Sequence, residues 1–383
     1  MIKFDATSDE FLADRTGVFR AMRDETPVYR SPDGASMRLS RYDDVVAAAL
    51  DWETFSSAIL GENPPLEILN LLDPSPHTDL RGNLSLAYSP QRILALEPEI
   101  RSIARSLIKE LKANDSGDII RQFTRPFTTR VMGLLLGFSD EQAALCQNLT
   151  DAALLSNDGI APFTALIQEL VADHRAHPKD DLMSALLSLG DAEGVALSES
   201  ALLAFCWGII LGNNCTTMDS IANGIYLLAQ SPTQWQELAD DPSLIPQAFE
   251  EMMRCGPPTH SSERVTTKEV ELHGVKIPTG TLIYLMWGAA SLDERKFDNP
   301  DRFDIHRQGG HHLALGWGHH LCIGAALARL EAQVGFEELL AAFPRVAIVG
   351  KPERIPSAWQ WGLESLILAF HSVTQQATKE ERT

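Results

Sequence analysis

The chain has 383 residues, and 32 Lys and Arg against 52 Asp and Glu give a net charge of −20. That surplus of acid excludes functions that rest on Lys/Arg clusters, such as gripping nucleic acid or an anionic membrane surface. The five cysteines (146, 206, 215, 255 and 322) form no Cys-x-x-Cys, and their odd number fits a reducing cytoplasm better than a disulfide scaffold.

The opening Met1-Ile2-Lys3-Phe4-Asp5 has no apolar core of a leader. Up to about residue 50 the text reads as short strands and turns around Ser31-Pro32-Asp33-Gly34, then a helix after Asp43-Asp44. Residues 54–73, with Gly61-Glu62-Asn63-Pro64-Pro65, read as a long loop, and long loops within compact domains tend to be functional. From 77 to 254 the pattern is mostly helical. Ser198-Glu199-Ser200 starts one helix and Ser231-Pro232 stops it. The stretch between, roughly 30 residues, makes about 45 Å of helix. Its apolar part, Ala201–Gly212, is too short to span a bilayer.

After 254 the period changes. Val270-Glu271-Leu272 and Val275-Lys276-Ile277 alternate about a turn at His273-Gly274, and Thr281-Leu282-Ile283-Tyr284 continues as strand. A Gly/His-rich loop fills 309–324, and a helix follows from about Ile323 to Ala342. Residues 1–10 and 374–383 are expected to fray. The expectation is one mainly α domain over 1–383 with a minor β portion.

Leu315-Gly316-Trp317-Gly318-His319-His320-Leu321-Cys322-Ile323-Gly324 carries the most information. Its glycines allow close backbone approach to a bound group, and the helix that follows favours a thiolate at Cys322. Such a thiolate would ligate a metal. A zinc site of His311, His312, His319, His320 and Cys322 is an alternative on composition alone.

These residues resemble the cytochrome P450 haem loop, Phe-Gly-x-Gly-x-His-x-Cys-x-Gly, at every position but the first, which is Leu315. The resemblance implies the P450 fold, haem b as cofactor, Cys322 as axial iron ligand, and Gly316, Gly318, Gly324 and His320 around the cofactor. His77 and Arg81, four apart on one helix face, and Arg264 would bind its propionates. Glu251-Met252-Met253-Arg254 and Pro300-Asp301-Arg302-Phe303 match the family's Glu-x-x-Arg and Pro-x-Arg-Phe, so Glu251, Arg254 and Arg302 would form its structural lock.

Gly212-Asn213-Asn214-Cys215-Thr216-Thr217 aligns with the family's Ala-Gly-x-(Asp/Glu)-Thr-Thr. Thr216 is then the oxygen-activating alcohol and Cys215 stands where the family has an acid; a one-residue shift would instead put Asn214 at the acid and Cys215 at the alcohol. A thiol is a weak hydrogen-bond donor, so proton supply is expected to differ. Gly208, Leu211 and Gly212 would line a substrate pocket with Thr259 and His260 and the 54–73 loop.

The resemblance further implies a cytoplasmic monooxygenase, with secondary metabolism as a setting. It would insert one oxygen atom from O2 into a C–H or C=C of a small organic molecule. Electrons would come from NAD(P)H through a separate ferredoxin-type donor, which Arg81, Arg92 and Arg329 would attract. Neither nucleic acid nor a membrane anchor is expected. The alternatives are a haem-thiolate enzyme without oxygen insertion (desaturation, oxidative coupling or peroxide-driven) and a non-catalytic haem binder.

Overall fold

The computed structural model describes residues 4–61, 67–156, 159–193 and 197–371. The fraying expected at 374–383 and the 62–66 part of the long loop lie outside these residues. Helices dominate and strands are short and few, as the sequence indicates. The chain forms two compact units. The first is Met1–Arg81, Glu250–Ile323 and Arg354–Trp361, and the second is Gly82–Phe249, Gly324–Glu353 and Gly362–Thr383.

The first unit opens with two helices that the turn-rich reading of this region misses, Asp9–Ala13 and Arg15–Glu25. Each has a one-residue N-cap: Ser8 Oγ accepts from Phe11 N at 3.2 Å and Asp14 Oδ1 from Gly17 N at 2.9 Å. Phe11, Phe19 and Met22 then face inward with Tyr29 and Trp361. Residues 4–10, expected to fray, hold Phe4 N on the Tyr29 hydroxyl at 3.0 Å.

A five-stranded sheet runs in the order Val28–Arg30, Ser36–Leu39, Leu282–Leu285, Ser262–Thr266, Phe55–Ser56. Only the Ser36–Leu39 and Leu282–Leu285 pair is parallel, with Ser36 opposite Leu282. Alternation buries Met37, Leu39, Ile283 and Leu285 on one face. The hairpin Val270–Leu272 and Val275–Ile277 turns where expected: His273 and Gly274 take φ of 51° and 74°.

The polar lock of this unit corrects one assignment. Arg254 grips Glu251 with two bonds, Nε to Oε2 at 2.7 Å and Nη2 to Oε1 at 2.9 Å, and both side chains are buried. Arg254 Nη1 donates to the carbonyls of Pro300 and Ser291. The third member is Arg307, whose Nε donates to Glu251 Oε1 at 3.1 Å. Arg302 turns its side chain to solvent, beside Asp304 at 3.6 Å, and gives the lock only its backbone carbonyl. Asn299, three residues earlier in the same loop, takes a left-handed φ of 46°.

The second unit is built on the helix Glu199–Ala229, 31 residues long and capped by Ser198 Oγ on Ala201 N at 2.9 Å. By length and composition it could cross a membrane, but 61% of its apolar window is buried in the protein. Its turn at Gly212–Thr217 is π-helical, a local widening frequent at functional sites. The helix Ala325–Ala342 packs on Glu97–Leu111, where Arg101 joins Glu97, Glu337 and Glu338. Glu331 of that helix is fully buried with neither carboxylate oxygen hydrogen-bonded, and burial pushes its carboxyl well above the usual range. A three-stranded sheet, Ser116–Asp118, Ile367–His371 and Arg345–Ile348, completes the unit.

Candidate active site

The 309–324 loop turns on glycine. Gly316 and Gly318 take φ of 74° and 69°. A Cβ on Gly318 would sit 3.0 Å from the Ala49 carbonyl oxygen, so both conformation and space require glycine there. Leu313 N is held by Ser291 Oγ at 2.9 Å, and Cys322 N donates to the Leu315 carbonyl at 2.8 Å. These bonds close the loop and leave Cys322 exposed at its end. Gly324, at φ −80°, is the ordinary N-cap of the helix Ala325–Ala342.

Basic side chains from three elements of the first unit gather at this loop. His77 and Arg81 come from the helix Pro76–Ala87, Arg264 from the strand Ser262–Thr266, and His319 and His320 from the loop itself. The His77 and His320 rings are 4.4 Å apart, and His77 and His319 are 6.3 Å apart. His320 Nε2 pairs with Ser57 Oγ at 2.9 Å, while Asp73 accepts from Ser57 N and Ser56 Oγ.

This gathering is costly as it stands. Neither ring nitrogen of His77 nor Nδ1 of His320 has a hydrogen-bond partner, and all three atoms are buried. Burial, then the Arg81 charge, lowers the His77 pKa to about 4. Burial, then Arg264, lowers that of His320 to about 3. Arg264, 3% exposed, is lowered to about 10 by burial. A group with two carboxylates would supply the missing acceptors and cancel the repulsion, and the exposed thiol beside the Arg81 charge would ligate its metal. The residues fit an iron porphyrin with two propionates.

They do not assemble a zinc site. Among the described residues no three His, Cys, Asp or Glu side chains could hold a metal ion. His312 Nε2 pairs instead with Glu250 at 3.0 Å, and the His311 carbonyl accepts from the Tyr42 hydroxyl.

The Gly212–Thr217 turn belongs to the second unit. Asn213 Nδ2 donates to the Thr128 carbonyl at 2.9 Å. Asn214 is 1% exposed, and neither amide atom finds a partner. The Cys215 thiol is buried, and desolvation with the nearby Asp219 and Asp151 charges pushes its pKa well up. Thr216 Oγ1 donates to the Gly212 carbonyl at 2.5 Å. On the preceding turns Gly208 is exposed and Leu211 and Gly212 are half-buried, with open space where a Cβ would stand on either glycine.

Two pocket expectations come out differently from each other. Thr259 is half-buried and bridges to Gln360. His260 lies in an aromatic core instead, 1% exposed, with its ring 5.2 Å from Phe11 and 5.7 Å from Trp361. Arg92, expected to attract an electron donor, pairs with Asp180 at 3.7 Å on the surface of the second unit. Sequence reasoning missed Ser57 and Arg307, and offered His319 only as a zinc ligand. Arg307 had a signal, since it ends the run Arg302-Phe-Asp-Ile-His-Arg307 and could compete for Glu251.

The family model described as Cytochrome P450 matches residues 157–363. The chain is 34% identical to the erythromycin C-12 hydroxylase of Saccharopolyspora erythraea, over 90% of this chain and 91% of that one. It is 30% identical to the steroid C26-monooxygenase of Mycobacterium tuberculosis, over 96% of both. Its fold matches the structure of CYP109Q5 from Chondromyces apiculatus with a TM-score of 0.90 at 29% identity, covering 97% of this chain and 99% of that one.

Proposed function

This chain belongs to the cytochrome P450 family, and from that premise we propose that it inserts one oxygen atom from O2 into a C–H or C=C bond of a sizeable organic molecule. As a P450 monooxygenase it uses haem and takes electrons from a redox partner. The proposal includes haem b as the cofactor, a ferredoxin-type donor linked to NAD(P)H, and a cytoplasmic setting. When bound, the haem supplies the oxygen chemistry that side chains lack.

The observation that carries this reading is the exposed Cys322 beside a basic cluster with buried, unpartnered nitrogens. Cys322 would hold the iron as thiolate, favoured by the Arg81 charge. His77, Arg81, Arg264 and His320 would take the propionates, while Gly316 and Gly318 let the backbone turn close to the ring. Glu251, Arg254 and Arg307 fix the chain on which this loop stands.

In the second unit Thr216 would be the alcohol that holds a proton during oxygen activation. Its hydroxyl is already oriented by the Gly212 carbonyl. Cys215 keeps its proton too tightly to act as an acid, which leaves the Asn214 amide as the adjacent polar group. The open space at Gly208 and Gly212 supports a bulky substrate, in keeping with relatives named for erythromycin and a steroid.

The test is the absorption spectrum of the reduced protein with carbon monoxide. A red-shifted Soret band, lost in Cys322→Ala, is expected; an ordinary haem–CO band would overturn thiolate ligation. Product mass under labelled O2 then separates insertion from a second reading, desaturation or coupling without oxygen transfer, which the Cys215 substitution favours.

A further inference from the structure

Two arginines of the helix Arg15–Glu25 are buried, and they are treated differently. Arg23, wholly buried, bonds Glu294 at 2.8 and 3.1 Å and the Ala289 carbonyl at 2.9 Å, with Asp293 4.0 Å away. Arg15, 8% exposed, forms no ion pair among the described residues; the charged neighbour that repels it is Arg354. Its Nη2 donates to the Cys255 carbonyl, and its Nη1 is buried without a partner. Leaving a guanidinium so placed is expensive unless an acceptor is supplied.

His260 stands at the same spot. Both of its ring nitrogens are buried without a partner. Arg15 and His260 share two aromatic neighbours: Arg15 lies 4.5 Å from Trp361 and 5.7 Å from Phe19, and His260 lies 5.7 Å and 6.4 Å from the same rings. Arg354 covers the indole of Trp361 at 3.8 Å. A cationic donor, Arg15 Nη1, and a neutral one, His260, thus meet at one aromatic wall, each with a buried nitrogen that has no hydrogen-bond partner. Burial and mutual repulsion accordingly lower Arg15 to about 9 and His260 to about 3.

We propose that Arg15 Nη1 and a ring N–H of His260 form a binding site for a small monoanion, a halide or a carboxylate, against Trp361. Arg15 would contribute the charge, His260 a neutral donor, and the aromatic rings a weakly hydrated wall that selects against strongly hydrated ions. The site stands on residues of the first unit alone and does not depend on the haem reading.

The experiment uses the haem-loaded full chain. Crystals soaked in bromide are examined for anomalous scattering, and thermal unfolding is followed in bromide, in sodium hexanoate and in fluoride at equal ionic strength. The expected result is a bromide peak within hydrogen-bond distance of Arg15 Nη1. At tenfold over its dissociation constant, bromide should raise the folded-to-unfolded ratio about elevenfold over fluoride. Arg15→Met should abolish that gain while matching or exceeding the wild type in fluoride, because it removes an uncompensated charge. A response to hexanoate alone, with the same loss in Arg15→Met, assigns the site to an organic carboxylate. No peak and no response to either anion in the wild type overturns the proposal, as does a bromide response that survives in Arg15→Met.

Discussion

Glu251 Oε1 accepts from Arg307 Nε at 3.1 Å, while the neighbouring Arg302 points its guanidinium away from Glu251 toward Asp304. The two arginines should therefore be unequal. Arg307→Ala removes a charged donor from a buried carboxylate and should cost about 1–3 kcal/mol. Arg302→Ala should stay within about 0.5 kcal/mol of the wild type. Urea midpoints of the two variants decide it, and the reverse order would restore Arg302 to the lock.

Cys215 lies near Asp219 and Asp151. A carboxyl placed there enters a buried, already negative surrounding, so Cys215→Asp should lose about 1–3 kcal/mol of stability. It also restores an acid beside Thr216, and product formed per NAD(P)H should rise. Unfolding and coupling are measured on the same preparation. A coupling ratio that is unchanged or lower would show that the thiol does not limit proton supply.

Glu331 is buried without a hydrogen-bond partner, so its proton is held more tightly in the folded than in the unfolded state. Above the unfolded carboxyl value, about 4.3, the unfolded chain releases a proton that the folded chain keeps. Stability therefore falls as pH rises, by at most about 1.4 kcal/mol per unit from this group. Glu331→Gln lacks that slope. Its advantage over the wild type should widen between pH 5 and 8 in urea unfolding, and a constant gap would mean that Glu331 is ionised when folded.

Gly208 has open space where a Cβ would be. On the pocket proposed above, Gly208→Phe fills it and should weaken binding of bulky ligands by about 5- to 150-fold, the equivalent of roughly 1–3 kcal/mol of overpacking. The carbon monoxide spectrum should be unaltered. Spectral titration with large and small ligands checks this, and equal weakening of both would argue against a steric limit at this position.

The legible parts of the site are those set by short spacings. His77 and Arg81 share a helix face, and Cys322 follows two glycines whose positive φ suits no other residue well. The assignment of Arg302 failed because two arginines five residues apart can both reach Glu251. The path of the folded 299–307 loop chooses between them, and no local pattern announces it. The two N-terminal helices were hidden because Ser8 and Asp14 are single-residue caps amid turn-forming text. The burial of His260 was not legible because its surroundings, Phe11, Phe19 and Trp361, come from distant parts of the chain.

The order of segments in the first unit has a consequence for biosynthesis. Its strand Ser36–Leu39 pairs with Leu282–Leu285, and between them runs the continuous stretch Gly82–Phe249 of the second unit. As the chain leaves the ribosome, the N-terminal strands must wait, with one edge unpaired, until nearly three quarters of the protein has been made. Such a delay carries a loop-closure cost and exposes an aggregation-prone edge. The segment carrying Cys322 emerges later still, so a porphyrin can meet its complete set of ligands only near the end of synthesis. Production yield should thus respond more to slowed translation or added chaperone than to porphyrin supply during the first two thirds of the chain.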